Sequence, residues 1–156
     1  MNTPCRIVET QQLLQAYEEI LPHVESLPLR ISGNSMAPFL RDGRDTVYLC
    51  AIRAPLRVGD MVLYRRKNGQ YILHRICRAE GGDRYTMIGD GQYTREPGIH
   101  RTQILATVCR VERKGHIQKP GCLCWEFFAR IWVRMVPLRP ACQHGYLSMK
   151  NWLHRS

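Results

Sequence analysis

Between residues 46 and 113 short runs of Val, Ile, Leu, Thr and Tyr alternate with turn-forming residues, and this rhythm restricts the possible folds more than any other feature. The runs are TVYLCAI (46–52), MVLYRR (61–66), QYILHRICRAE (70–80), RYTMIG (84–89) and QILATVCRVER (103–113). Arg57-Val58-Gly59-Asp60, Lys67-Asn68-Gly69, Gly81-Gly82-Asp83 and Gly89-Asp90-Gly91 separate them. Asn68-Gly69 between two strand-like runs is the strongest hairpin signal. Strands this close together leave no room for crossover helices. The expected fold is therefore mainly β, a coiled antiparallel sheet or small barrel.

Helical patterns flank the β region. Leu13, Leu14, Tyr17, Ile20 and Leu21 recur at helical spacing within 7–21, with Thr3 or Thr10 as the cap and Pro22 and Pro28 beyond the end. LRIS (29–32) reads as a short strand. After HIQKPG (116–121), the segment 122–138 reads as an amphipathic helix, with Glu126, Arg130 and Arg134 on one face and Trp125, Phe128, Ile131, Trp132 and Met135 over the rest. The expected organisation is 1–28 helical, 29–118 a β domain, and 119–156 a basic aromatic helix and tail. With 156 residues the chain is long enough for one core without disulfide staples.

Lys and Arg number 23 against 13 Asp and Glu, a net charge of +10. Residues 119–156 hold six of the basic residues and one acidic residue. Such a segment suits an anionic membrane surface as a reversible contact through 122–138; docking on the sheet as core is the competing expectation. No specific nucleic-acid contact is expected. The seven cysteines are an odd number, several lie inside strand-like runs, and MNTPCRIVETQQLLQ does not read as an export signal, so free thiols in the cytoplasm are expected. Cys122-x-Cys124 with Cys142-x-His144 is too tightly spaced for the usual zinc knuckle. Neither a metal nor a cofactor is expected.

The chemistry-bearing segment is Ser32-Gly33-Asn34-Ser35-Met36-Ala37-Pro38-Phe39-Leu40-Arg41-Asp42-Gly43, followed in order by VGDMVLY (58–64), LHRI (73–76) and IGDG (88–91). A serine hydroxyl is a weak nucleophile until a neighbouring imidazole accepts its proton. An imidazole of ordinary pKa, about 6.5, is neutral and basic near pH 7. A carboxylate on its other nitrogen would fix the tautomer. Ser35, His74 and Asp90 fit these roles, with Glu96 as the reserve acid. Lys67, in a basic turn beside Arg65 and Arg66, is poorly placed to lose its proton and act as the base.

In this order the motifs resemble the catalytic domain of type I signal peptidases and their LexA/UmuD-type relatives, over about residues 29–113. G-x-S-M-x-P-x-L is the specific element. Lys stands at the base position in much of that superfamily; His74 resembles the Ser–His branch. The resemblance implies Ser35 as nucleophile and as the N–H donor of an oxyanion hole, His74 as base, Asp90 and then Glu96 as acids, with Asn34 and Met36 supporting. Three departures stand out: Gly43-Arg44-Asp45 is one residue longer than the family's G-D, Glu96 replaces an Asp, and no membrane anchor is read. The implied activity is serine endopeptidase cleavage of a precursor peptide or protein. The alternative is a non-catalytic peptide- or partner-binding module of the same fold. A self-cleaving regulator fits less well, because the chain contains no Ala-Gly or Cys-Gly bond.

Overall fold

The computed structural model describes residues 4–142. Thr3, His144 and His154 lie outside them, as do the side chains of Cys5 and Thr10. The protein is mainly β. Eight strands form one antiparallel sheet: β1 Leu27–Arg30, β2 Thr46–Cys50, β3 Met61–Arg65, β4 Tyr71–Glu80, β5 Arg84–Ile88, β6 Glu96–His100, β7 Ile104–Arg113 and β8 His116–Gln118. Their order is β1-β2-β7-β3-β4-β5-β6, with β8 also paired to β7. The sheet is not closed, so the barrel alternative is corrected: β1 and β6 end the path without meeting. Pro97 helps to end it at β6, since it has no N–H to offer a further strand.

The β3–β4 hairpin turns at Asn68-Gly69, with Gly69 at φ +86° and its N–H donating to the Arg66 carbonyl at 2.9 Å. Register fixes the two faces of this hairpin. Val62 opposes His74 and Tyr64 opposes Ile72, so these four share one face; Met61, Leu63, Tyr71, Leu73 and Arg75 take the other. Both faces are covered. Val62, Tyr64, Ile76, Met87, Ile99 and Ile104 form a cluster on the first. Met61, Leu63, Phe39, Val47, Leu49 and Val108 belong to the larger core on the second.

The N-terminal helix α1 runs Pro4–Ile20 and passes into a 3-10 turn at Leu21–His23. Leu14 and Leu21 are buried in the larger core, while Leu13 and Ile20 are exposed, a narrower apolar stripe than the spacing suggested. Tyr17 Oη donates to the Pro28 carbonyl at 2.7 Å and ties the helix to β1.

The expected helix over 122–138 is broken into pieces. Helix α2, Leu123–Glu126, continues as a π-helical turn over Phe127–Trp132, marked by Val133 N–H donating to the Phe128 carbonyl at 3.3 Å, and a 3-10 turn follows at Val136–Leu138. Arg134 thus falls past the helix end, and the three-charge face reduces to the Glu126–Arg130 pair at 2.6 Å. The aromatic face docks on the sheet. Phe39 meets Trp125 at 5.9 Å and Phe128 at 4.9 Å between ring centroids, and Trp125, Phe128 and Trp132 are buried. This corrects the membrane reading where it used the tryptophans: Trp125 and Trp132 are core residues. The exposed apolar side chains here are Leu123, Phe127, Ile131 and Leu138. Among the described residues no helix is long and apolar enough to cross a membrane.

Gly59 shows why a glycine opens β3. It sits at φ +101°, and a Cβ there would lie 2.5 Å from the Ala129 carbonyl oxygen. Any side chain would push the C-terminal segment off the sheet.

Candidate active site

Ser35 lies in the loop from β1 to β2. The loop is closed at its base by Ile31 N–H donating to the Asp45 carbonyl at 2.9 Å and Gly43 N–H to the Ile31 carbonyl at 3.0 Å. Met36, Phe39 and Leu40 are buried and anchor it in the core. Asp45 is buried too. Burial works against its charge, but Arg44 and the Arg41 N–H outweigh that and hold its carboxyl below the usual range. Asp45 therefore ties down the loop end. Asn34 is exposed, and its carbonyl accepts from Ala37 N–H at 3.0 Å in the turn that carries the serine.

The turn after β5 clamps this loop. Gly91 N–H donates to the Ser35 carbonyl at 2.9 Å. A Cβ on Gly91 would lie 2.8 Å from the Ala37 carbonyl oxygen, and one on Gly89 would lie 2.3 Å from the Ser35 carbonyl oxygen and 3.1 Å from His74 Nε2. Both glycines of Ile88-Gly89-Asp90-Gly91 are therefore required by close backbone approach. The same contacts bring the serine loop and the histidine to one place. Ser35 and His74 line a common cavity of about 200 Å³, with Gly33, Leu73, Arg66 and Gln92 around it. A larger cavity of about 560 Å³ shares Arg66 and Gln92 and continues along residues 91–97. Among the described residues no hydrogen bond joins the Ser35 hydroxyl to His74, and the Ser35 N–H has no acceptor. Catalytic hydrogen bonds often tighten only when substrate is bound.

Asp90 does not orient His74. Its carboxylate is gripped by Arg75, Nε to Oδ1 at 3.0 Å and Nη2 to Oδ2 at 2.8 Å, and both side chains are fully buried. Arg75 Nη1 donates to the Gly59 carbonyl at 2.8 Å. The reason is alternation: neighbours in a strand point to opposite faces, so a carboxylate bound to Arg75 is turned away from His74. Asp90 is a structural residue.

Two side chains that the sequence reading passed over stand behind the histidine. His74 Nδ1 lies 3.2 Å from Tyr64 Oη, and Tyr64 Oη donates to Glu96 Oε2 at 2.7 Å. Arg66 holds both Glu96 oxygens, Nε to Oε1 at 2.7 Å and Nη2 to Oε2 at 2.6 Å. Glu96 is thus near the histidine but reaches it only through Tyr64. The Arg66 guanidinium, and next the Tyr64 hydroxyl, hold the Glu96 carboxyl below its usual range. Val62 opposes His74, and period-two alternation along β3 then puts Tyr64 and Arg66 on the same face as His74, the one signal in the sequence that pointed to them. Lys67 is exposed in the hairpin turn.

Burial is the largest influence on His74. It pushes the imidazole pKa down to about 4; Glu96 opposes this and Arg66 adds to it. This corrects the expectation of a base with an ordinary pKa. A depressed pKa means that the neutral ring persists as pH falls, so any activity needing a basic His74 is expected to be flat from pH 8 to about 5.5 and to fall near pH 4. The fold responds in the same direction. The charged ring is disfavoured only in the folded state, so stability is complete above the unfolded value near 6.5 and declines as pH falls towards 4. The loss is roughly 3 kcal/mol for the shift. Tryptophan fluorescence against pH checks this; a stability plateau reaching unchanged from pH 7 to pH 4 would mean a solvated ring.

Cys124 Sγ accepts from Arg113 Nη1 at 2.9 Å, and among the described residues no cluster of His, Cys, Asp or Glu is arranged as a metal site. The chain matches no protein-family model and no curated protein.

Proposed function

We propose that the chain is a serine endopeptidase of the signal-peptidase and LexA type that cuts a precursor peptide or protein. The observation that carries this reading is the meeting of Ser35 and His74 in one cavity, although 38 residues separate them in the sequence. A glycine turn brings them together where no side chain would fit.

In this mechanism Ser35 Oγ attacks the scissile carbonyl carbon and its proton passes to His74 Nε2. The oxyanion is met by the unpartnered Ser35 N–H. The tetrahedral intermediate collapses, the C–N bond breaks, and the leaving amine takes the proton from Nε2. Water, deprotonated at the same nitrogen, then releases the acyl group and restores Ser35. The substrate has a place to lie. β4 pairs with β3 from Tyr71, but with β5 only from Arg75 onward, so one edge of Tyr71–Leu73 is unpaired beside the cavity. An extended peptide added to that edge passes Ser35. Work in a reducing compartment belongs to the same proposal, supported by the free thiols of Cys50, Cys77 and Cys109 on the sheet strands.

The test is reaction with a fluorophosphonate probe, in which Ser35 Oγ bonds to phosphorus and fluoride leaves. Labelling is expected to map to Ser35 in the wild type, to vanish in Ser35→Ala and to fall to background in His74→Ala. The double variant should be little worse than either single, as for residues acting as one unit. Unchanged labelling of Ser35→Ala would end the proposal. Absence of labelling in a folded wild type would favour the non-catalytic binding module.

A further inference from the structure

A buried phenol standing between a histidine and a carboxylate has only one proton to give. At Tyr64 that proton is assigned: Oη donates to Glu96 Oε2 at 2.7 Å. Glu96 is ionised, because Arg66 pairs with both of its oxygens, and an ionised carboxylate only accepts. Towards His74 Nδ1, at 3.2 Å, the Tyr64 oxygen can therefore only accept as well. The hydrogen of the neutral imidazole must then sit on Nδ1. Nε2 is left with a bare lone pair, and it is the ring nitrogen beside Gly89 and the Ser35 loop.

We infer that Tyr64, held by Glu96 and Arg66, is the positioning residue that fixes His74 in the Nδ1–H tautomer, the part a carboxylate plays in the Ser-His-Asp arrangement. The inference rests on the reading of Ser35 and His74 as nucleophile and base. It also accounts for two facts together. A carboxylate directly on Nδ1 would draw the ring towards its charged form, whereas a neutral phenol orients the ring and leaves it uncharged in a buried site. When Nε2 takes the serine proton, Nδ1 keeps its hydrogen and Tyr64 keeps its own, so no proton crosses the relay. The network also assigns work to an ion pair, Arg66–Glu96, that is only partly buried and on its own would contribute little. Its service is to hold the Glu96 oxygen as an acceptor facing Tyr64.

The experiment reads the tautomer itself. Full-length protein labelled with 15N-histidine is examined at pH 7 by long-range 1H–15N correlation, with His74→Ala used to assign the His74 signals among the six histidines. The wild type is expected to show a protonated Nδ1 and a bare Nε2. Tyr64→Phe keeps the ring and removes the acceptor, so the hydrogen should move to Nε2. Glu96→Gln presents an amide N–H beside Tyr64, because Arg66 retains the amide oxygen; Tyr64 then turns its proton to Nδ1, and Nε2 again gains the hydrogen. Fluorophosphonate labelling of Ser35 should fall by roughly 10²-fold or more in both variants. The ceiling is the ~10⁴ that a wrong tautomer costs in the serine-protease triad. Glu96→Asp should recover part of the loss. A merely structural role would not move the tautomer. A wild-type His74 protonated on Nε2, or a Tyr64→Phe protein with unchanged tautomer and labelling, overturns the inference. Should Tyr64→Phe fail to fold, Glu96→Gln, at a partly exposed residue, gives the same readout. The two readings fail separately. Bare Nε2 in the wild type with labelling that survives Ser35→Ala sinks the peptidase proposal and leaves the positioning intact.

Discussion

Asp90→Ala is expected to lower the stability of the protein by about 3–5 kcal/mol, the usual loss when one partner of a buried ion pair is removed. The melting temperature should drop on the order of 10 °C for a chain of this size. Both side chains of the pair are fully buried. Without Asp90, the hydrogen bond left to the Arg75 guanidinium among the described residues is the one to the Gly59 carbonyl, with the Phe39 ring 5.4 Å away and Asp60 acting on it only as a longer-range charge. An uncompensated charge would then sit inside the larger core. Arg75→Met should cost a similar amount, for it strands the Asp90 carboxylate instead. The double variant Arg75→Met/Asp90→Ala should cost less than the sum of the two, since it strands neither charge of the pair. Urea unfolding of the four proteins measures this cycle. A midpoint for Asp90→Ala equal to that of the wild type, or simple additivity in the double, would mean that the pair is solvated and that Asp90 is free for another role. At a temperature where Asp90→Ala remains folded, labelling of Ser35 should be largely retained, because Asp90 faces away from His74.

That assignment shows how far the sequence could be read. The Asn68-Gly69 hairpin, the antiparallel strands and the bend at Gly33–Ser35 were legible, because each depends on local chemistry: a left-handed glycine, alternation, turn-forming residues beside a short strand; that Met36 is buried beneath the bend was not. β6 was hidden by Pro97 and Gly98, which break the strand pattern and are tolerated because β6 is an edge. The misreading of Asp90 came from taking order along the chain for proximity. Leu73-His74-Arg75-Ile76 sends its histidine and its arginine to opposite faces, and only the arginine meets Asp90. Tyr64 and Glu96 lie 32 residues apart and meet because β3 and β6 converge through two intervening strands. No spacing rule links them. Local pattern could place six of the eight strands, missing β6 and β8; the partner of a buried polar group depends on which strands become neighbours.

The C-terminal segment is expected to be indispensable to both fold and site, and removal of residues 121–156 should leave a chain that is insoluble or unfolded. Trp125 and Phe128 pack on Phe39, and Val133 and Val136 pack on Ile88, so truncation strips the cover from two parts of the core. A single buried Trp-to-Ala change costs about 3–5 kcal/mol, comparable with the whole stability of many domains. The segment also braces the turn that clamps Ser35. Trp132 Nε1 donates to the Asp90 carbonyl at 2.7 Å, and Arg139 Nη1 donates to the carbonyls of Gly89 at 2.8 Å and Gln92 at 2.6 Å. Trp132→Ala in the full chain separates the two effects. It should lower stability by several kcal/mol and, at temperatures where the protein is still folded, slow labelling of Ser35 by loosening residues 89–92. Trp132→Phe should recover much of the packing but not the hydrogen bond to Asp90, and so improve stability more than labelling. The membrane reading makes the opposite forecast: a shortened chain that stays folded and soluble, with binding to anionic vesicles lost. A soluble, labelling-competent 1–120 fragment would return the tryptophans to the surface and remove the bracing of residues 89–92 from the account of the site.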